Sequence, residues 1–218
     1  MTLVVNPLCD AGGMGWAGTT LDARRHERRR RLLEVGLDLL GGEGSAAVTV
    51  RAVCRHAKLT DRYFYENFAD RHELMLTVFD QVAAEARDAL VAATAVVATT
   101  EVGVPAPPDR LARRAVERFL AVLVDDPRKG RVLLLEPLTD ATLSRRAVEV
   151  LPLFAALVRS QLGATTTALD AEMTATALIG ALANLFGRWL EGDLQASRQE
   201  VTDFGVHLLT NLAMPPRG

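Results

Sequence analysis

The run Leu59 to Phe68, LTDRYFYENF, holds the side chains of this chain best suited to touching nucleic acid. Arg62 offers a planar fork that can donate two hydrogen bonds to guanine O6 and N7, and Asp61 can accept from cytosine N4. Tyr63 can meet a thymine methyl or a phosphate. The bland alternative for all three is a solvated helix face. Phe64 and Phe68 fall on the side opposite Arg62 and read as core. A second basic feature lies upstream, where RRHERRRR, residues 24–31, carries six arginines. Such an arm, including Arg28 and Arg29, can track a phosphate backbone or reach a narrow minor groove.

Other chemistry finds no support. Cys54 and His56 are too close together, and lack the partners, for a zinc site. Gly12, Gly13 and Gly15 follow no strand and precede no lysine, so they form no phosphate loop. Asp125 and Asp126 stand before Pro127 as a helix start, and His207 belongs to an amphipathic helix where packing is its commoner role. No catalytic residue, metal ligand or cofactor is expected, and the chain does not read as an enzyme.

The elements that position Arg62 can be read from the pattern around it. An apolar stripe of Leu32, Leu33, Gly36, Leu37, Leu39 and Leu40 predicts a first helix from Ala23 to Leu40, ended by GGEG. Thr49, or the residue before it, caps a short helix with Val50, Val53 and Cys54 inward. A turn follows at Ala57, Lys58 and Leu59. Thr60 is placed to cap the next helix, with Asp61 at its positive end. Asp70 and Glu73 resemble a capping box that opens a longer helix towards Ala98. A short helix, a tight turn and a second short helix is the layout of a helix-turn-helix DNA reader.

The 218 residues are 49% hydrophobic, 24% charged and 5% aromatic, a soluble globular composition weighted towards helix formers. The formal net charge of -2 conceals an asymmetry. Between Arg24 and Arg62 ten Lys or Arg face five Asp or Glu, so the basic charge gathers near the N-terminus. Local charge governs contact with phosphates. The two cysteines, Cys9 and Cys54, suggest no disulfide framework and fit a reducing cytoplasm. Residues 1–22 lack apolar periodicity and the marks of a secretory signal, and read as a disordered arm.

VGVPAPPD interrupts the helical pattern as a linker or loop. Beyond it, helices are expected over Arg110 to Val124, Pro127 to Leu135, Leu143 to Leu162, Asp170 to Leu190 and Gln199 to Ala213. Ser197 and Glu200 form a capping box for the last. The helix Asp170 to Leu190 is apolar almost all round. Thr174, Thr176, Asn184 and Arg188 argue against a membrane span. The better reading buries it against its own domain on one side and a second subunit on the other. Ala177, Gly180, Ala181 and Gly187 allow close helix approach, and Ala177, Ala181, Leu185 and Arg188 are the expected interface.

Over residues 30–76 the sequence resembles the TetR family of transcriptional regulators, through Leu32, Val35, Gly36, Gly44, Thr49, Val53, Ala57, Lys58, Leu59, Thr60, Tyr65, Phe68, Arg71 and Leu74. Two positions depart from the family pattern. Lys58 stands where the turn usually has glycine, and Arg71 replaces a lysine. The resemblance implies an all-α fold with a three-helix DNA-binding domain over 23–69 and a helical ligand-binding and dimerisation domain over 70–218. It implies phosphate contacts by Arg51, Thr60, Tyr65 and Arg71, with Lys58 as a further backbone contact. It implies a homodimer on a palindromic operator in double-stranded DNA, acting as a repressor released by a small apolar or amphipathic effector. Phe119, Leu123, Leu134, Leu138, Phe154, Leu157 and Trp189 could line an effector pocket or be ordinary core. The alternative reading is a non-specific architectural DNA coat or a helical interaction protein.

Overall fold

The computed structural model describes residues 21–98, 107–160 and 167–212, and among these the regular structure is helical, without strands. The N-terminal arm expected over 1–22 falls almost wholly outside them, as does most of the proline-rich linker.

Helix α1 (Leu21–Gly42) begins two residues before its expected start and buries Leu32, Val35, Leu39 and Leu40. Gly44 (φ 91) then turns the chain into a short 3₁₀ turn, Ser45–Ala47. Helix α2 (Val50–Ala57) is capped by Thr49, whose hydroxyl accepts from the Ala52 amide at 3.1 Å. It ends at Lys58 in the left-handed region (φ 54, ψ 43), and the Leu59 amide returns to the Cys54 carbonyl at 3.0 Å. Helix α3 (Asp61–Tyr65) follows, with Thr60 alone between it and Leu59. Helix α4 (Arg71–Ala98) opens on Asp70, whose carboxylate accepts from the His72 and Glu73 amides. Glu73 reaches back to the Ala69 amide, one residue before the position a capping box would give it.

The second half contains α5 (Pro108–Val124), α6 (Pro127–Gly130), α7 (Glu136–Thr139), α8 (Ala141–Arg159), α9 (Ala168–Leu190) and α10 (Arg198–Leu212). Ser197 and Glu200 make the reciprocal box expected for α10. The helix expected over Pro127 to Leu135 is instead broken into α6 and a π-turn, Arg131–Leu135, that runs on into α7.

One apolar core runs from Leu32, Val53, Phe64 and Phe68 through Phe79 to Leu123, Val132, Leu143 and Phe154. The N-terminal helices and the bundle therefore share a core. A second cluster, Val116, Leu120, Leu182, Phe186, Val201 and Val206, holds α5, α9 and α10 together.

The two halves also meet at Gly41, where an added Cβ would stand 2.6 Å from the Arg128 carbonyl. Arg128 is in turn paired with Asp126, Glu34 and Asp38, clasping α6 to α1. Gly41→Ala is expected to destabilise the protein by about 1–3 kcal/mol, the range for overpacking, as read by urea denaturation.

Candidate nucleic-acid interface

Helix α3 is too short to be stable alone. It is held from beneath by Phe64 and Phe68, 0% and 2% exposed, with ring centroids 5.8 Å apart. These two were expected as core, and the structure places them there. Their burial turns Asp61, Arg62 and Tyr65 outward: all three are exposed, Tyr65 at 59%.

Arg62 has a side chain 84% exposed and pairs with Glu66 one turn on, Nε to Oε1 at 3.0 Å. That surface pair is cheap to exchange for a guanine edge. Tyr63 differs from its neighbours. It is half-buried, with the Arg28 guanidinium 4.6 Å from its ring centroid.

Arg28 and Arg29 are engaged inside the protein as well as being candidates for the DNA backbone. Arg29 donates to the Asn67 carbonyl at 2.7 Å and stacks 4.3 Å from the Phe68 ring, while Arg25 donates to the Glu66 carbonyl at 3.1 Å. Cations at the C-terminal end of a helix satisfy its orphan carbonyls and complement its dipole. The α1 arginines thus brace α3. This role was missed in the sequence because the partners lie 38 and 41 residues away. Arg24 and Arg31 remain on the exposed surface of α1.

Arg51 and Thr60 are exposed, and the Thr60 hydroxyl makes no capping bond with α3. Arg71 is half-buried and donates to the Ser45 and Val48 carbonyls at 3.3 and 3.4 Å. Its guanidinium braces the loop before α2, so a phosphate contact by Arg71 would be made by a side chain already fixed in place. Cys54 is buried, and burial followed by the neighbouring Asp61 carboxylate pushes its thiol up to about 11. It is protonated at neutral pH and a poor nucleophile or metal ligand.

Lys58 is the only non-glycine residue with positive φ among the described residues. Lys58→Gly is expected to raise stability by about 1 kcal/mol by relieving the left-handed strain. If Lys58 also meets phosphate, the same variant will bind DNA more weakly and with a shallower salt dependence. Urea denaturation and a salt titration of binding read the two effects separately.

Within the bundle lies an apolar cavity of about 1130 Å³, walled by Phe79, Phe119, Phe154 and Phe186 and by aliphatic side chains. Leu134, Leu138 and Leu157 line it too, whereas Leu123 is fully buried core and Trp189 donates its indole N–H to the Ala196 carbonyl outside it. On α9, Ala177, Ala181 and Arg188 are exposed and Leu185 is half-buried. Met173 at 54% and Phe204 on α10 at 52% are also exposed. An apolar helix was expected to be buried all round, and a single chain covers only one side of it. No helix among the described residues is long and apolar enough to cross a membrane, and they hold no cluster of metal-ligating side chains.

No family model matches the chain, and no curated protein is significantly similar to it in sequence. Solved structures are similar. The multidrug binding protein EbrR, in complex with imidazole, superposes with a TM-score of 0.63 at 21% identity, over 87% of this chain and 97% of that one. A TetR-like transcriptional regulator from Rhodococcus sp. RHA1 gives 0.58 at 22% identity, over 85% and 93%. The regulator FadR from Bacillus subtilis, in complex with stearoyl-CoA, gives 0.64 at 12% identity, over 84% and 97%. At these identities the likeness is one of fold: the chain has the all-α fold of TetR-type regulators.

Proposed function

We propose that this protein is a TetR-family transcriptional regulator: a cytoplasmic homodimer that binds a palindromic operator in double-stranded DNA and releases it when a small apolar or amphipathic effector occupies the bundle cavity. The observation that carries the DNA reading is the arrangement of α3, a five-residue helix held on two buried phenylalanines, with Arg62 standing out from it. Residues 23–69 form the DNA-binding part and 70–218 the regulatory and dimerisation part. Asp61, Arg62 and Tyr63 read bases, and Arg51, Thr60, Tyr65 and Arg71 contact phosphates, with Lys58, Arg28 and Arg29 as further backbone contacts.

An exposed apolar stripe on α9 and α10 supports a two-fold partner, since a dimer would set two reading helices about 34 to 36 Å apart, one turn of DNA. Ala181→Glu would bring two like charges together at such an interface. It is expected to yield monomers in sedimentation velocity and to lose operator binding. A dimer that persists would place the interface elsewhere. The cavity supports effector control because its volume and apolar walls suit a small-molecule site.

The decisive experiment is fluorescence-anisotropy binding to the DNA flanking the protein's own gene, beside a scrambled duplex, at two salt concentrations. A preference of about 10³-fold or more identifies a sequence-specific reader. Equal, strongly salt-dependent binding to that fragment and the scrambled duplex would favour the non-specific coat.

A further inference from the structure

The π-turn between α6 and α7 touches both halves of the molecule. Its cause lies in Pro137, which has no amide hydrogen and whose ring would meet the Leu133 carbonyl in a regular helix. Leu134, Pro137 and Leu138 form part of the cavity wall. Glu136, between them in sequence, is not part of that wall. Its side chain is 4% exposed; one oxygen accepts from the Ser45 amide at 2.8 Å and the other from Arg131 Nε at 2.9 Å.

Ser45 opens the 3₁₀ turn that joins α1 to α2. The far end of that loop, Val48, is fully buried, and Arg71 bonds both the Ser45 and Val48 carbonyls. The loop that leads into the reading unit is therefore gripped by Arg71 of α4 and by Glu136 of α7. A buried carboxylate holding a backbone N–H and a guanidinium is a strong tie, costly to leave half-made.

We propose that Glu136 is the latch through which cavity occupancy reaches the DNA-binding helices. A ligand pressing on Leu134, Pro137 or Leu138 displaces the turn and draws Glu136 from the Ser45 amide. The 44–48 loop is then released, and with it the fixed placement of α2 and α3. Such a ligand acts only in so far as it binds the unlatched arrangement more tightly. The inference rests on reading the cavity as the effector site.

Gly187 on α9 provides a ligand-free test, because a Cβ there would lie 3.8 Å from Leu135 Cδ2 and 4.0 Å from Leu134 Cβ. Gly187→Ala makes only ordinary contact, whereas Gly187→Leu is a wedge driven into the turn. Amide exchange at Ser45 is measured by NMR on the full chain, without DNA. In Glu136→Met, of similar length but with no strong acceptor, and in Gly187→Leu, Ser45 exchange should quicken about tenfold or more, as for loss of a charge-assisted hydrogen bond. Gly187→Ala should match the parent, and Glu136→Met with Gly187→Leu should exceed neither single variant.

Unchanged exchange in Glu136→Met overturns the latch. So does quickening in Glu136→Met with none in Gly187→Leu, which would leave Glu136 a static brace. If Glu136→Met does not fold, Glu136→Gln keeps the shape and replaces the charged acceptor with a neutral one, and unchanged Ser45 exchange there overturns the latch equally. Because no DNA enters the measurement, failure to bind an operator leaves this result intact, and the reverse also holds.

Discussion

Arg62→Ala is expected to weaken binding to the cognate operator about 5- to 150-fold per half-site, the worth of one bidentate guanine contact at about 1–3 kcal/mol. Binding to scrambled duplex should change far less, so the loss falls on specificity. The geometry supports this because Arg62 has no buried partner to forfeit. Its side chain is 84% exposed and its Glu66 pair is a surface one. Arg62→Lys makes the sharper comparison: it keeps the charge and loses the fork, so it should retain non-specific affinity while discriminating nearly as poorly as alanine. Competition binding against both duplexes checks the prediction, and equal losses on the two would reassign Arg62 to the phosphates.

Phe64→Ala is expected to have the largest effect on stability, about 3–5 kcal/mol, the usual range for emptying a buried aromatic site. Phe64 is 0% exposed and packs edge-on against Tyr65 at 5.5 Å as well as against Phe68. Its neighbours belong to the core that continues to Leu123 and Leu143, so the damage should not stay local. A single shifted transition in urea, rather than an early melt of the N-terminal helices followed by a later one, is the expected profile. DNA binding should fall together with the folded fraction, because α3 rests on the same core as the bundle.

The α2–turn–α3 unit was largely legible because its signals are local. Thr49 caps α2, Asp61 stands in the first turn of α3, and Phe64 and Phe68 share the face opposite Arg62; each follows from short-range helical geometry. Lys58 marked the turn, and its φ of 54 shows that the chain accepts the strain glycine would have avoided. The α1 arginines were visible as a charge run, but a run does not say which members face solvent. The fold spends Arg25, Arg28 and Arg29 on the end of α3 and leaves Arg24 and Arg31 outside.

In the second half, helix positions could be read to within a few residues from the 3.6-residue period, except over Pro127 to Leu135, where the helix breaks into a π-turn that runs on into α7, and the reciprocal Ser197–Glu200 cap was plain. Which apolar side chains enclose space was not. Leu123 and Phe154 look alike in sequence, yet one is sealed in the core and the other faces the cavity, a distinction set by how α5 and α8 are spaced across the bundle. The pairing of Glu136 with Ser45 across 91 positions was equally hidden.

By itself, then, the sequence determined the all-helical class, most of the helices and the short exposed helix that follows the turn at Lys58, because capping, turn chemistry and amphipathic period act within a few residues. The tertiary structure alone decided which arginines brace and which remain outside, where the bundle is hollow, and how a π-turn grips the loop before α2. Those depend on distances between segments far apart in the chain, which no local pattern encodes.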